Sequence, residues 1–123
     1  MILILLALHI LGDYTYQTDR MAKYKSHAFE VMSYLLRRKK HPLDMNKIRF
    51  SIPALFQHVL IYTAFFIPAV LLGAFSWWGL LVIFGTHLII DSRRWVTRSW
   101  APATILTDQA FHLLVLGLLL FIN

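Results

Sequence analysis

The stretch Ile2-Leu-Ile-Leu-Leu-Ala-Leu-His9-Ile-Leu-Gly12-Asp13-Tyr-Thr-Tyr-Gln17 ends an uninterrupted apolar run in polar groups that such a run ordinarily excludes. His9, Asp13 and Gln17 recur every fourth residue. A helix turns once in about 3.6 residues, so this spacing stacks an imidazole, a carboxylate and an amide on one face. The pattern returns along the chain. His87 and Asp91 stand four apart in a second apolar run, Asp108 and His112 four apart in a third, and His58 lies inside the remaining one. Polar stripes on apolar helices are sheltered when they face one another, so these residues are expected to meet inside a helical bundle.

Composition sets the solvent. The 123 residues suit one domain by length, and 59% of them are apolar. The mean hydropathy is +0.62. Soluble domains hold about half apolar residues, so this is a membrane composition. The formal charge of +6 is confined to two segments, which points to a membrane surface and gives no expectation of specific nucleic-acid binding. The chain has no cysteine, which removes disulfides and thiolate zinc sites from consideration.

Four spans are expected, at about 2–21, 52–73, 79–91 and 102–122, in a single all-α unit covering 1–123. A cleaved signal peptide is the rival for the first. It would need a basic lead and a small-residue cleavage site, yet no Lys or Arg precedes Arg20, and Gly12-Asp13-Tyr14 follows the apolar run. Pro53 is expected in the first turn of the second span, where its missing N–H costs little, and Pro68 is expected to kink that span. Trp77 and Trp78 resemble an interfacial anchor, as do Trp95 and Trp100 beside Arg93, Arg94 and Arg98.

The connection 22–51 is basic and partly helical. Phe29, Met32, Leu35 and Leu36 repeat at helical spacing after Ser26, a candidate cap, and Arg37, Arg38, Lys39 and Lys40 follow before Pro42. One reading is an interfacial helix whose basic tail meets anionic headgroups, each charge contributing about 1 kcal/mol. The other is a soluble helical loop folded over the protein. All Lys and Arg fall between the first and second spans or between the third and fourth. By the positive-inside rule both connections are cytoplasmic, leaving both termini outside, in a multi-pass protein of the bacterial inner membrane.

With about 1.5 Å of rise per residue, Asp13, His58, His87 and Asp108 fall within one or two turns of the cytoplasmic surface, with His9 and His112 deeper. Charged groups at such depth cost several kcal/mol unless paired, so they face a bundle interior and mark function. Imidazoles and carboxylates without thiolates suit zinc or manganese, and an i, i+4 pair can aim two donors at one ion. The expected ligands are His9, Asp13, His58, His87, Asp91, Asp108 and His112. Asp13, Asp91 and Asp108 carry three negative charges, which two divalent cations and one bridging hydroxide would balance, as in a two-metal hydrolytic centre. Asp13, Asp91 and Asp108 would then be catalytic, with Gln17 orienting a ligand or the substrate. A closed His–Asp network can also fix helix register without binding anything, and similar chains relay ions or protons in pumps. His27 and His41 lie in the basic connection and are expected to be ordinary surface residues.

His9-x-x-Gly12-Asp13-x-x-x-Gln17, Met21-Ala-x-x-Lys25, His58-Val-Leu-Ile-Tyr62-Thr63, Thr86-His87-x-x-x-Asp91 and Asp108-Gln109-x-x-His112 resemble the pattern of a domain-of-unknown-function family of small phage and bacterial integral membrane proteins. The resemblance covers most of the chain except Arg20 to Phe50 and implies no established activity. More remotely, His9 and Gly12-Asp13 are similar to the opening of bacterial inner-membrane metal-dependent hydrolases. The expectation is thus a metal-dependent hydrolase acting on a phosphoester or lipid-like substrate from the cytoplasmic side. The alternative is a non-enzymatic membrane protein that binds a host protein or lipid through its basic loop. A homo-oligomer is a further partner expectation.

Overall fold

The computed structural model describes residues 1–15, 18–37, 43–92 and 102–122, and these are helical with no strand among them. The first helix, α1 (Ile2–Ile10), runs directly into a π-helical turn, Leu11–Thr15. α2 (Asp19–Lys25) and α3 (Ala28–Arg37) follow, then α4 (Met45–Ala64), α5 (Ile67–Leu71), α6 (Trp77–Ser92) and α7 (Pro102–Ile122). Gln17, Arg38, Lys39, Lys40, His41, Arg93, Arg94, Trp95, Arg98 and Trp100 lie outside the described residues.

The second apolar helix starts earlier than the sequence suggests. Asp44 caps α4 by accepting from the Asn46 N–H at 2.9 Å, so Lys47 and Arg49 belong to the helix and Pro53 lies inside it. The break anticipated at Pro68 falls just before it, at Phe65 and Phe66, and Pro68 sits in the first turn of α5. Without an N–H, Pro68 cannot continue the ladder of α4. α5 closes with the Ala74 N–H donating to Ala69 O and the Gly73 N–H to Val70 O, both at 2.9 Å. This double bond pattern needs a left-handed residue, and Gly73 has φ +75°.

Among the described residues, two helices are long and apolar enough to cross a membrane, Met45–Leu71 and Ile105–Ile122, while Ile2–Thr15 and Trp77–Ser92 are shorter. The apolar and polar residues are distributed against the habit of a water-soluble protein. Leu3, Leu72, Trp78, Leu106, Phe121 and Ile122 are exposed, whereas His9, Asp13, Ser51, His58, His87 and His112 are buried. Exposed apolar side chains on this scale mark a surface that meets lipid or another protein.

An apolar core of Leu5, Tyr62, Phe66, Ala69, Phe75, Ile83 and Leu116 joins α1, α4, α5, α6 and α7. A second, smaller core joins Ala28 of α3 to Leu55 and Val59 of α4, with Phe84 and Leu88 packed against it. α3 therefore docks through Ala28 and Val31, both fully buried, and turns Phe29, Leu35 and Leu36 outward. Ser26 does not cap α3. Its hydroxyl donates to Lys23 O at 2.8 Å and closes α2 instead. Thr18 caps α2, accepting from the Met21 N–H at 3.2 Å, and Met21 is buried as α2 packs on α4.

Candidate metal centre

Four of the anticipated residues converge between the two cores. Asp13 from the π-helical turn, His58 from α4, and His87 and Asp91 from α6 each offer one ligand atom, all within 4.8 Å of one another. His58 and His87 point the same ring atom inward, with their Nε2 atoms 3.1 Å apart. His58 Nε2 lies 3.3 Å from Asp13 Oδ1 and 3.1 Å from Asp91 Oδ2. His87 Nε2 lies 3.5 Å from Asp91 Oδ2, as the i, i+4 spacing allows. With both Nε2 atoms deprotonated, their lone pairs would converge with the two carboxylates. That donor set, two nitrogens and two carboxylate oxygens without sulfur, fits zinc or manganese.

A second group adjoins the first through Asp91. Asp91, Asp108 and His112 also offer ligand atoms within 4.8 Å of one another. Asp91 presents Oδ1 to His112 Nε2 at 3.5 Å, while its Oδ2 faces His58 and Lys25. One carboxylate thus turns its two oxygens toward two donor sets. His112 Nδ1 lies 2.9 Å from the Asp108 carbonyl oxygen, which orients the ring so that Nε2 faces Asp91. His112 Nε2, like the Nδ1 atoms of His58 and His87, is buried without a hydrogen bond among the described residues. Asp108 is the least enclosed member, with its side chain 37% exposed.

His9 stands apart from both groups. Its Nδ1 is 2.8 Å from the Tyr62 hydroxyl and its Nε2 is 2.7 Å from Gln109 Oε1. The Gln109 amide nitrogen donates to Asp13 Oδ2 at 3.0 Å and to Asp108 Oδ2 at 3.3 Å. Two carboxylates therefore fix which end of the amide faces them. Gln109 Oε1 must then accept from a protonated His9 Nε2, and His9 Nδ1 accepts from the Tyr62 hydroxyl. Both nitrogens of His9 are engaged, so it orients the carboxylates through Gln109. His9 and Asp13 both face α4 and α7: His9 meets Tyr62 and Gln109, whereas Asp13 meets His58 and Gln109. Gly12 in the π-helical turn lies against Tyr62, where an added Cβ would come within 3.0 Å of its ring.

Three participants carry no assignment from the sequence: Lys25, Tyr62 and Gln109. The Lys25 ammonium donates to Asp91 Oδ2 at 2.7 Å and lies 3.0 Å from His58 Nε2 and 3.9 Å from Asp13 Oδ1. Tyr62 had a legible signal, its i, i+4 spacing from His58, and Gln109 stands next to Asp108. Lys25 appeared only in the motif Met21-Ala-x-x-Lys25, and as one basic residue among many in its segment it was given no role. His27, as anticipated, lies away from the cluster, with Nδ1 3.2 Å from Glu30 Oε2.

The family described as "Protein of unknown function (DUF3307)" matches residues 1–122. No curated protein and no solved structure matches the chain. The match spans both apolar cores and every residue of the His/Asp cluster, and the chain belongs to this DUF3307 family.

Proposed function

We propose that this is a four-span membrane protein that binds divalent metal in its His/Asp cluster and hydrolyses a phosphoester or lipid-like substrate from the cytoplasmic side. The observation that carries the reading is Asp91, whose two oxygens face two donor sets. A shared carboxylate of this kind suits a pair of ions. Such a pair activates water near neutral pH and clamps the attacking and leaving oxygens of an ester. Asp13, His58, His87 and Asp91 would hold one ion and Asp91, Asp108 and His112 the other, with zinc or manganese favoured by the donors. Gln109 would keep Asp13 and Asp108 oriented, as carboxylate ligands require.

The membrane reading rests on the apolar exterior and the buried polar interior. At about 1.5 Å per residue, Ile2–Thr15 and Trp77–Ser92 are shorter than a bilayer core of about 30 Å. Packed beside two longer helices they still complete a bundle. Lys and Arg cluster in two connections and at the start of α4 beside the first, which under the positive-inside rule supports a cytoplasmic side for both connections. The outward-facing Phe29, Leu35 and Leu36 would then enter the headgroup region, with the basic run from Arg37 to Lys40 following them in sequence.

Metal analysis of protein purified without chelator is the test. We expect zinc or manganese at a ratio approaching two per chain, and metal-dependent turnover of a phosphoester or ester. A folded sample that neither retains nor takes up metal defeats the hydrolase reading. A second reading is favoured by the Lys25 ammonium, which already balances part of the carboxylate charge. In it the cluster is structural, and the protein acts by binding a lipid or another protein through its basic segment.

A further inference from the structure

Asp13 and Asp91 lie so near one another that both approach the same His58 Nε2, and burial makes such a pair costly without a cation between them. Lys25 supplies that cation. Its ammonium contacts Asp91, His58 and Asp13, three of the four residues of the first donor group. An ion held by the same ligand atoms would occupy space that the ammonium now fills.

The placement is built into the fold. Lys25 is the last residue of α2, whose start is capped by Thr18 and whose Met21 is buried against the bundle. Tyr24, next to Lys25, packs its ring on Phe50 of α4 at a centroid distance of 5.5 Å, and the Arg20 guanidinium lies 4.5 Å over that ring. With its helix held in this way, Lys25 delivers its ammonium to the cage from a fixed origin. The side chain remains 15% exposed, so a path outward exists that requires rotation of the flexible stem and no movement of α2.

We propose that Lys25 is the built-in cation of the cage and that a divalent ion enters by taking its place. Lys25 thereby sets metal affinity jointly with the four donors. One unit charge stands against two carboxylates in the lysine-filled state, whereas a divalent ion balances both, which favours exchange once metal is available. A competing occupant weakens apparent affinity by the fraction of time the site is free, so a cage filled nine-tenths of the time by Lys25 binds about tenfold more weakly. The inference rests on the metal-binding reading above.

Two measurements on the full chain in detergent or lipid discs test it, with zinc alone as the probe. In the first, zinc affinity is read by competition with a chromogenic chelator for the parent and for Lys25→Gln. The variant should bind about tenfold more tightly or better. In the second, lysines of the parent are acetylated briefly with and without zinc and read by mass spectrometry. Lys25 should be protected without zinc and reactive with it, while Lys23 and Lys47 serve as unchanged references. This arm needs no variant and decides the matter if Lys25→Gln does not fold. Zinc binding by the variant but not the parent overturns the exchange, because Lys25 then blocks the cage and is never displaced. Zinc bound by the parent with Lys25 still protected overturns the exchange and leaves the metal site standing. Zinc bound by neither protein overturns both.

Discussion

The phenol ring of Tyr62 lies flat on the imidazole of His87, with centroids 3.6 Å apart and planes 8° from parallel. The same Tyr62 hydroxyl reaches His9 Nδ1 at 2.8 Å. One side chain therefore holds a candidate ligand by its face and the Gln109 relay by its edge. The fully buried position, 2% exposed, gives it no alternative rotamer into solvent.

Tyr62→Phe keeps the stack and removes the hydroxyl. Its expected cost is about 1 to 3 kcal/mol, because His9 Nδ1 is left buried without a donor, with metal content retained. Tyr62→Ala also removes the ring and leaves a cavity, for which about 3 to 5 kcal/mol is expected. Denaturant titration in one detergent compares the two. Equal losses would show that the stack contributes nothing.

Metal content should divide according to which donor set is damaged. Asp91→Asn touches both groups and should lose both ions. His58→Ala or His87→Ala should lose one, and His112→Ala or Asp108→Asn the other. His9→Ala should retain metal and lose stability, because His9 engages Tyr62 and Gln109. Plasma mass spectrometry of the purified series, with His27→Ala as control, reads the pattern. Uniform loss across all variants would indicate misfolding.

Gly12→Ala tests the close approach of the π-helical turn to α4. The new Cβ would meet Tyr62 Cδ2 at 3.0 Å, so the ring must shift, while Tyr62 Cα at 3.4 Å is in ordinary contact. Overpacking of this kind costs about 1 to 3 kcal/mol. A lower thermal midpoint together with weakened metal binding is expected, since the displaced Tyr62 lies on His87. Gly117→Ala, with open space around its Cβ, is the control.

The outward face of α3 predicts contact with lipid. Leu36 is 85% exposed, and the chain has no cysteine, so a label on Leu36→Cys reports from a single position. In anionic vesicles its fluorescence should be quenched by headgroup-level quenchers, while a label on Asn46→Cys is quenched less. Salt should weaken any electrostatic part, because screening acts beyond about 8 to 10 Å near physiological ionic strength. Equal quenching at both sites would remove the interfacial reading of α3.

Topology is tested independently. Reporters fused after Asn123 and within 37–40 should fall on opposite sides of the membrane if the four-span arrangement is right. Both on one side would mean an even number of crossings between them instead of three and end the proposal.

The polar stripes and apolar runs were legible because helical spacing is local: His87 and Asp91 must share a face wherever the helix packs. The sequence put Asp13, His58, His87 and Asp108 at one level; Asp13, His58 and His87 do meet, but with Asp91, while Asp108 falls in the adjoining group. The start of α4 was harder to place. Lys47 and Arg49 interrupt hydropathy, yet the Asp44 cap lets the helix begin before them. The α3 stripe was seen, but its buried side is Ala28 and Val31, small residues that periodicity does not weigh.

By itself, the sequence determined the helical class, the polar faces and the absence of thiolate chemistry, because these follow from spacing and composition. Tertiary structure decided who occupies the centre. His9 is drawn away by Tyr62 and Gln109, and Lys25 is brought in from a basic segment that otherwise reads as surface. Neither outcome is local. One depends on Tyr62 of α4 and Gln109 of α7 closing on His9, the other on α2 packing against α4 so that a side chain 66 residues before Asp91 meets it at 2.7 Å.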